Sequence, residues 1–280
     1  MLKWVTSFDT PLEIEDKSTW KYEYLPVHSV HNIYALYSVS HEKFIWDLRS
    51  EPKIREAFGK VWGTDELLVS FDGINISLPG TIDDPAKDAK SWQHVDQSPF
   101  KQSFQCVQGI AQLSNAGPKD GGLVVYPRSH KHFTEFVETQ LDKSKWQHKD
   151  WLMLTEEHVK WFEDGLGIKP YKVEAEPGDL ILWDSRTIHH AVLAESDEIR
   201  TIAYVSYSPA SFATDDALDR KKEAFEKWAG TTHWAHDNIN PRLKDPVLPN
   251  GEVDPKNRKE PAEKPELNDV VLKLAGVKPY

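Results

Sequence analysis

From Leu67 to Ser208 the chain passes through short stretches in which apolar and polar residues alternate, and proline or glycine stops most of them. A period of two places successive side chains on opposite faces of an extended strand, so each stretch offers one face to a core. Leu67 to Leu78 reads as one long strand ended by Pro79-Gly80, and Phe104 to Leu113 as a second. Gly122 to Tyr126 is a third, stopped by Pro127, and Lys172-Val173 is a short one before the turn Glu176-Pro177-Gly178-Asp179. Leu180 to Trp183 and Ile199 to Ser206 complete the set. Many short, turn-separated strands flanked by helices specify a mainly β fold, a sandwich or jelly roll with helical additions.

The first thirty residues are polar with scattered aromatics and read as extended chain lying on the surface. From His31 to Trp62 the pattern turns helical. Ile54, Ala57, Phe58, Val61 and Trp62 recur there at three- and four-residue spacing, with Ser50 and Pro52 at the start and Gly63 at the end. Thr155 is placed to cap a helix through Asp164, and Thr214 to cap another that reaches about Ala229. Prolines recur among charged residues from Pro241 to Pro265, the composition of a draped or flexible tail, with a short helix near Val270 to Leu274. Without internal repeats, the 280 residues read as a single domain: a helical flank 1–65, a β core 66–210, and a C-terminal helix and tail 211–280.

Composition narrows the functional classes. The formal net charge is -11, with acidic residues spread along the whole chain, which argues against a nucleic-acid partner. The one cysteine, Cys106, rules out an intramolecular disulfide or a cysteine metal cluster and reads as a small packed hydrophobe. No apolar run follows Met1-Leu2-Lys3-Trp4 and none approaches a membrane span, so a cytoplasmic protein without a membrane partner is expected.

The chemistry begins in Ser91-Trp92-Gln93-His94-Val95-Asp96-Gln97-Ser98-Pro99. On extended chain His94 and Asp96 point to one side and Val95 to the other, so two ligands share a face and await a third. That third is offered by Ser185-Arg186-Thr187-Ile188-His189-His190-Ala191, where only one of the two adjacent histidines can face inward. Arg200 follows His189 by eleven residues and shares a strand face with Ile202, Tyr204 and Ser206. A guanidinium heading an inward row needs a partner, because an unpaired buried charge is very unfavourable. The partner is either an acid from a neighbouring strand or an anionic ligand, whose carboxylate suits the planar fork. Two histidines and one carboxylate cover one face of an octahedral metal and leave three positions open, as in non-haem Fe(II) oxygenases.

In order and spacing these elements resemble the phytanoyl-CoA dioxygenase (PhyH-like) family of Fe(II)/2-oxoglutarate-dependent oxygenases. The resemblance rests on Gln93-His94-Val95-Asp96, the segment Gly121 to His130, Pro177-Gly178-Asp179, His189 and Arg200, and it spans about Leu67 to Ser208. It implies a double-stranded β-helix core of the jelly-roll or cupin-like kind, with Fe(II) held by His94, Asp96 and His189. It also implies that Arg200 holds the far carboxylate of 2-oxoglutarate, that Gln108 and Asn75 contact this co-substrate, and that His189 rather than His190 is the ligand. Arg128 stands where the family has glycine, which bears on the shape of that loop and not on the ligands. His130 reads as structural, Trp92, Gln97 and Trp183 as pocket wall or core, and His233 and His236 as surface.

The implied reaction couples decarboxylation of 2-oxoglutarate by O₂ to hydroxylation of an unactivated C–H bond in a small organic molecule, releasing succinate and CO₂. An aspartate at position 96 argues against the halogenating variant, which has a small residue there. Rival readings are a Zn²⁺ hydrolase built on the same three side chains, which has no need of Arg200, and a jelly-roll binding protein without turnover. An acyl-CoA thioester is the alternative substrate, disfavoured by the net acidity. Pocket walls are expected from 81–90, 131–169 and the tail, and a monomer or homodimer is expected.

Overall fold

The computed structural model describes residues 1–85 and 92–280. Eleven strands are present among them: β1 (Ile33–Tyr34), β2 (Leu67–Val69), β3 (Ile74–Ser77), β4 (His94–Val95), β5 (Val107–Gln112), β6 (Gly122–Val125), β7 (Leu152–Met153), β8 (Tyr171–Lys172), β9 (Leu180–Asp184), β10 (His189–Val192) and β11 (Arg200–Pro209). They form two antiparallel sheets, one in the order β1-β3-β11-β5-β9 with β2 also on β11, the other in the order β7-β4-β10-β6-β8. The two face each other as a jelly roll, the double-stranded β-helix expected from the sequence.

Strand β11 is the spine of the larger sheet, with β2 and β3 on one side and β5 on the other. Its alternation divides the molecule. Ala203, Val205 and Tyr207 look outward into the main core, while Ile202 and Tyr204 look inward with Ile110, Leu123 and Trp183. The outward face is covered by α1 (Leu2–Val5), α2 (Lys43–Ser50) and α3 (Pro52–Trp62) together with the C-terminal helices. The smaller sheet is backed by α4 (Phe133–Thr139) and α5 (Glu156–Lys160), through Val95, Tyr126, Phe133, Phe136 and Phe162. The apolar cluster between the sheets is the smallest of the three, because that space is a cavity.

Local chemistry accounts for the helix ends. Pro52 opens α3, and Gly63 closes it at φ 72° with its N–H on the carbonyl of Gly59. Ile54 and Phe58 carry the buried stripe, whereas Val61, read as part of that stripe, is 41% exposed. Thr155 and Thr214 accept from the N–H groups of His158 and Ala217 and so cap α5 and α6 (Asp215–Glu226), as their positions suggest.

Three readings need correction. Leu67 to Leu78 is two strands, not one: Val69 pairs with Tyr207 but Ile74 with Ala203, a one-residue slip that makes the link a bulge. Arg49 donates to the carbonyl of Asp72 at 2.9 Å, and Lys221 donates to that of Val69. The N-terminal thirty residues are not a surface layer, since Trp4, Val5, Phe8, Leu12 and Trp20 are all within the main core. Their sparse aromatics pack edge to face, Trp4 on Phe8 at 5.0 Å and Phe8 on Tyr37 at 5.1 Å, which leaves no periodic trace in the sequence.

The tail, for its part, is fastened down. Tyr37 donates to Asp254 at 2.6 Å, Glu42 accepts from the backbone N–H groups of Ala262 and Glu263, and α7 (Asp269–Leu274) buries Val271 and Leu274. At Arg128 the backbone takes φ 71°, a left-handed turn of the kind that glycine favours. No described helix is long and apolar enough to cross a membrane.

A Cβ added at Gly73 would lie 2.1 Å from the carbonyl oxygen of Tyr34. Gly73→Ala is therefore expected to lower unfolding stability by about 2 kcal/mol or more in a urea titration. A change under about 0.5 kcal/mol, the scale of an ordinary surface substitution, would show that the β1–bulge contact yields freely.

Candidate metal centre

His94 lies on β4 and His189 on β10, and the two are register partners, directly opposite across the strand pair. Opposed residues in an antiparallel pair share a face, so both imidazoles enter the cavity together, with ring centroids 4.3 Å apart. Asp96 follows β4, and its backbone N–H is fixed on the carbonyl of Ser185 at 2.9 Å. One ligating atom from each of His94, Asp96 and His189 lies within 4.8 Å of the others. His190 contributes no atom to this group, although it lines the same cavity.

Neighbouring backbone sets the tautomers. His94 Nδ1 donates to the carbonyl of Trp92 at 2.8 Å, and His189 Nδ1 donates to that of Thr187 at 2.9 Å. Each ring therefore presents Nε2 as its lone-pair atom, 3.6 Å and 3.3 Å from the two carboxylate oxygens of Asp96. Burial, with His189 beside it, pushes the His94 imidazole down to about 4, so it is neutral at neutral pH. Burial alone would raise Asp96, but the histidines around it outweigh that and hold the carboxyl low. Gln108 Nε2 donates to Asp96 Oδ2 at 2.9 Å, and His233 Nε2 donates to the Asp96 carbonyl at 2.9 Å. Two nitrogens, one oxygen and no thiolate make a donor set that fits a borderline divalent cation such as Fe(II).

The three residues open on a cavity of about 350 Å³ whose inner wall is Ile110, Leu123, Trp183 and Tyr204. Arg200 lines it as well. The side chain is buried, its Nε has no hydrogen-bond partner, and among the described residues no carboxylate pairs with it. Of the two partners that the sequence left open for it, an acidic neighbour is therefore not what the described structure supplies. Arg200 also lines a second cavity of about 410 Å³ with Asn75, His31, Trp92 and His190. Asn75 faces that space but spends its amide on the His31 carbonyl, 2.7 Å away, and accepts from Ser77.

Other residues divide between those that keep their sequence reading and those that do not. Trp92 stacks on His94 at 4.4 Å and on His31 at 3.5 Å, forming a wall of the metal cavity. Gln97 is not pocket lining: fully buried, it clamps the loop after Asp96 by accepting from Ser185 and donating to the carbonyls of Lys101 and Ser103. His233 is half-buried against the Asp96 backbone rather than free on the surface, and His236 is buried. Lys149, Asp150, Trp151, Asn238 and Arg242 also line the metal cavity. They come from irregular segments, where no period or spacing marks a residue as inward. Positions 86–90 of the expected wall, and Ser91, lie outside the described residues.

The family model described as phytanoyl-CoA dioxygenase matches residues 26–202. The chain belongs to that family. This phytanoyl-CoA dioxygenase family member is thus an Fe(II)/2-oxoglutarate-dependent oxygenase, with the His-Asp-His triad in place. It is 43% identical over 242 residues to Ava biosynthesis cluster protein O of Aspergillus versicolor, covering 84% of this chain and 76% of that protein. In shape the oxygenase is similar to a hypothetical protein, JW0805, of Escherichia coli, with TM-score 0.57, 13% identity, and 88% and 70% of the two chains covered. It is also similar to the GlcNAc Inducible Gene 2 protein of Candida albicans, with TM-score 0.53, 13% identity, and 96% and 77% covered. At that identity the likeness speaks for the fold alone.

Gln108→Leu removes the amide donor on Asp96 Oδ2 while keeping a side chain of similar size. Fe(II) affinity, read by competition with a chelating dye under anaerobic conditions, is expected to fall about tenfold, the usual effect of losing a group that orients a metal ligand. Unchanged affinity would mean that Asp96 needs no such support.

Proposed function

We propose that His94, Asp96 and His189 hold Fe(II), that Arg200 holds the far carboxylate of 2-oxoglutarate, and that the enzyme hydroxylates a C–H bond of a small organic molecule. The observation that carries this reading is the pairing, in one cavity, of three convergent ligand atoms with a buried guanidinium that no carboxylate pairs among the described residues. A carboxylate from outside the chain supplies what Arg200 lacks, and its planar fork binds one in two parallel hydrogen bonds. When bound, Fe(II) with 2-oxoglutarate and O₂ supplies the oxidising power, releasing succinate and CO₂. The protein's own contribution is positioning and exclusion of water.

Each residue then has a physical task. The carbonyls of Trp92 and Thr187 fix the two imidazoles in the tautomer that ligates through Nε2. Gln108 restrains the Asp96 carboxylate, which makes it a positioning residue here rather than a direct contact of the co-substrate. Ile110, Leu123 and Trp183 keep the space beside Arg200 dry, which strengthens its attraction for an anion. Asn75, in the adjoining cavity, stays within the wall near Arg200. A small organic substrate is supported by the Aspergillus relative, whose name places that protein in a biosynthesis cluster.

Incubation of the wild-type protein with Fe(II), ascorbate and 2-oxoglutarate is expected to release succinate slowly, and 2-oxoglutarate is expected to raise the melting temperature of the metal-loaded protein. Arg200→Met should keep metal binding and weaken 2-oxoglutarate binding by about 2 kcal/mol or more, roughly thirtyfold. His94→Ala should lose the metal. The absence of both succinate release and stabilisation in the iron-loaded wild type would sink the oxygenase reading.

A further inference from the structure

Strand β7 is the edge of the smaller sheet and pairs only with β4 among the described residues. Its register is informative: Met153 lies opposite His94, and Leu152 opposite Val95. Residues opposed in this way share a face, so Met153 stands on the ligand side of the sheet, and Trp151, two residues earlier, stands there too. Leu152 points the other way and packs with Phe136 and Phe162 behind the sheet. Yet the two side chains on the ligand side stay partly exposed, Trp151 at 41% and Met153 at 36%, with the Lys149 ammonium over the Trp151 ring at 4.1 Å. They border a trough of about 540 Å³ that also takes in Leu141, Trp146 and His158. Trp151 and Lys149 line both this trough and the metal cavity, so the two spaces share a wall one strand away from His94.

We infer that the organic substrate carries a flat aromatic ring system, which lies in this trough against Trp151 and Met153 while its reacting carbon reaches into the metal cavity. The inference rests on the oxygenase reading and extends it to a substrate class. The wall shared with the metal cavity, Lys149 and Trp151, is what selects substrate over another occupant. Aromaticity follows from the lining. Indole rings and a thioether make specific contacts with ring faces and edges that a saturated group of equal size does not match. The surroundings already use this chemistry: Phe100 meets Trp146 edge to face at 5.4 Å and stacks on His148 at 4.3 Å. Part of the 350 Å³ metal cavity must also house 2-oxoglutarate, so a substrate of more than one ring has to extend outward, and the trough is where the wall continues.

The test uses the full chain loaded with Fe(II) and 2-oxoglutarate under anaerobic conditions, so that binding is read without turnover. Two probes, 2-naphthylacetamide and cyclohexylacetamide, are titrated by saturation-transfer NMR. The protein forms are wild type, Trp151→Ser, and Tyr171→Ser, a control for an exposed aromatic on the opposite edge strand. Wild type should bind the naphthyl probe about tenfold more tightly than the cyclohexyl one, the fold-change expected of a good aromatic contact. Trp151→Ser should lose that preference and Tyr171→Ser should keep it. Equal affinity for both probes, or a naphthyl preference that survives Trp151→Ser, overturns the inference. So does sedimentation showing a dimer whose formation requires Trp151, since the trough would then be filled by a second copy. Thermal stabilisation by 2-oxoglutarate is recorded on the same samples. If it is present while the preference fails, the substrate class falls and the oxygenase reading stands; if it is absent, both fall.

Discussion

The backbone register that sets His189 opposite His94 governs everything at the site. Both histidines lie on strands of two and four residues, too short to hold their pairing alone. The register is secured from outside: β10 is also zipped to β6 over His189 to Val192, β4 is flanked by β7, and the N–H of Asp96 is anchored on Ser185. A slip of one residue would turn His190 inward and send His189 into the wall, because the side-chain period of a strand is two. Metal ligation therefore depends on sheet hydrogen bonds that no ligand makes. The carbonyls that choose the imidazole tautomer, those of Trp92 and Thr187, lie two residues before each histidine on the segments that lead into these strands, so the same stretches of backbone fix geometry and tautomer.

The second constraint is that the interior must stay open, which removes apolar packing from the place where a sandwich would ordinarily keep it. The fold compensates outside the sheets. Helices α1 to α3, the C-terminal segment and the sparse N-terminal aromatics bury the outer face of the larger sheet, and α4 and α5 bury that of the smaller. Buried cations take part as well. Arg49 donates to carbonyls at Ser40 and Asp72, and Lys221 lies over Phe71, 3.9 Å from the ring centroid, while donating to Val69. These contacts pin the bulge between β2 and β3, and Asp72 from that bulge reaches the metal cavity. Arg200, by contrast, has no carboxylate partner among the described residues and its Nε is unsatisfied, which suits a ligand-binding charge better than a structural one.

How much of this was legible in the sequence depended on whether a residue lay on a periodic element. The jelly roll, the inward row Arg200-Ile202-Tyr204, and the sharing of a face by His94 and Asp96 all follow from a period of two. The capping threonines and Gly63 announced their helix ends. The bulge was not legible, because Phe71-Asp72-Gly73 keeps the alternation going by eye while the close approach of Tyr34 that demands Gly73 comes from a distant segment. Nor was the core role of the N-terminal aromatics, which meet in pairs rather than on a stripe. His233 illustrates the same limit at the site itself. It lies in irregular chain past α6, and only tertiary folding brings its Nε2 to the carbonyl of Asp96. Gln97 was read too close to the pocket, because a buried amide that clamps a loop and one that lines a cavity look alike in sequence.

The most direct test of the central claim is an anaerobic titration of the Fe(II)-loaded protein with 2-oxoglutarate, followed by visible absorption. If His94, Asp96 and His189 leave open positions that a 2-oxo acid can chelate, a charge-transfer band should grow and saturate at one equivalent per chain. It should be missing in His189→Ala and require far more 2-oxoglutarate in Arg200→Met. A fully iron-loaded wild-type protein that develops no such band, or a band that persists unchanged in His189→Ala, would contradict the account.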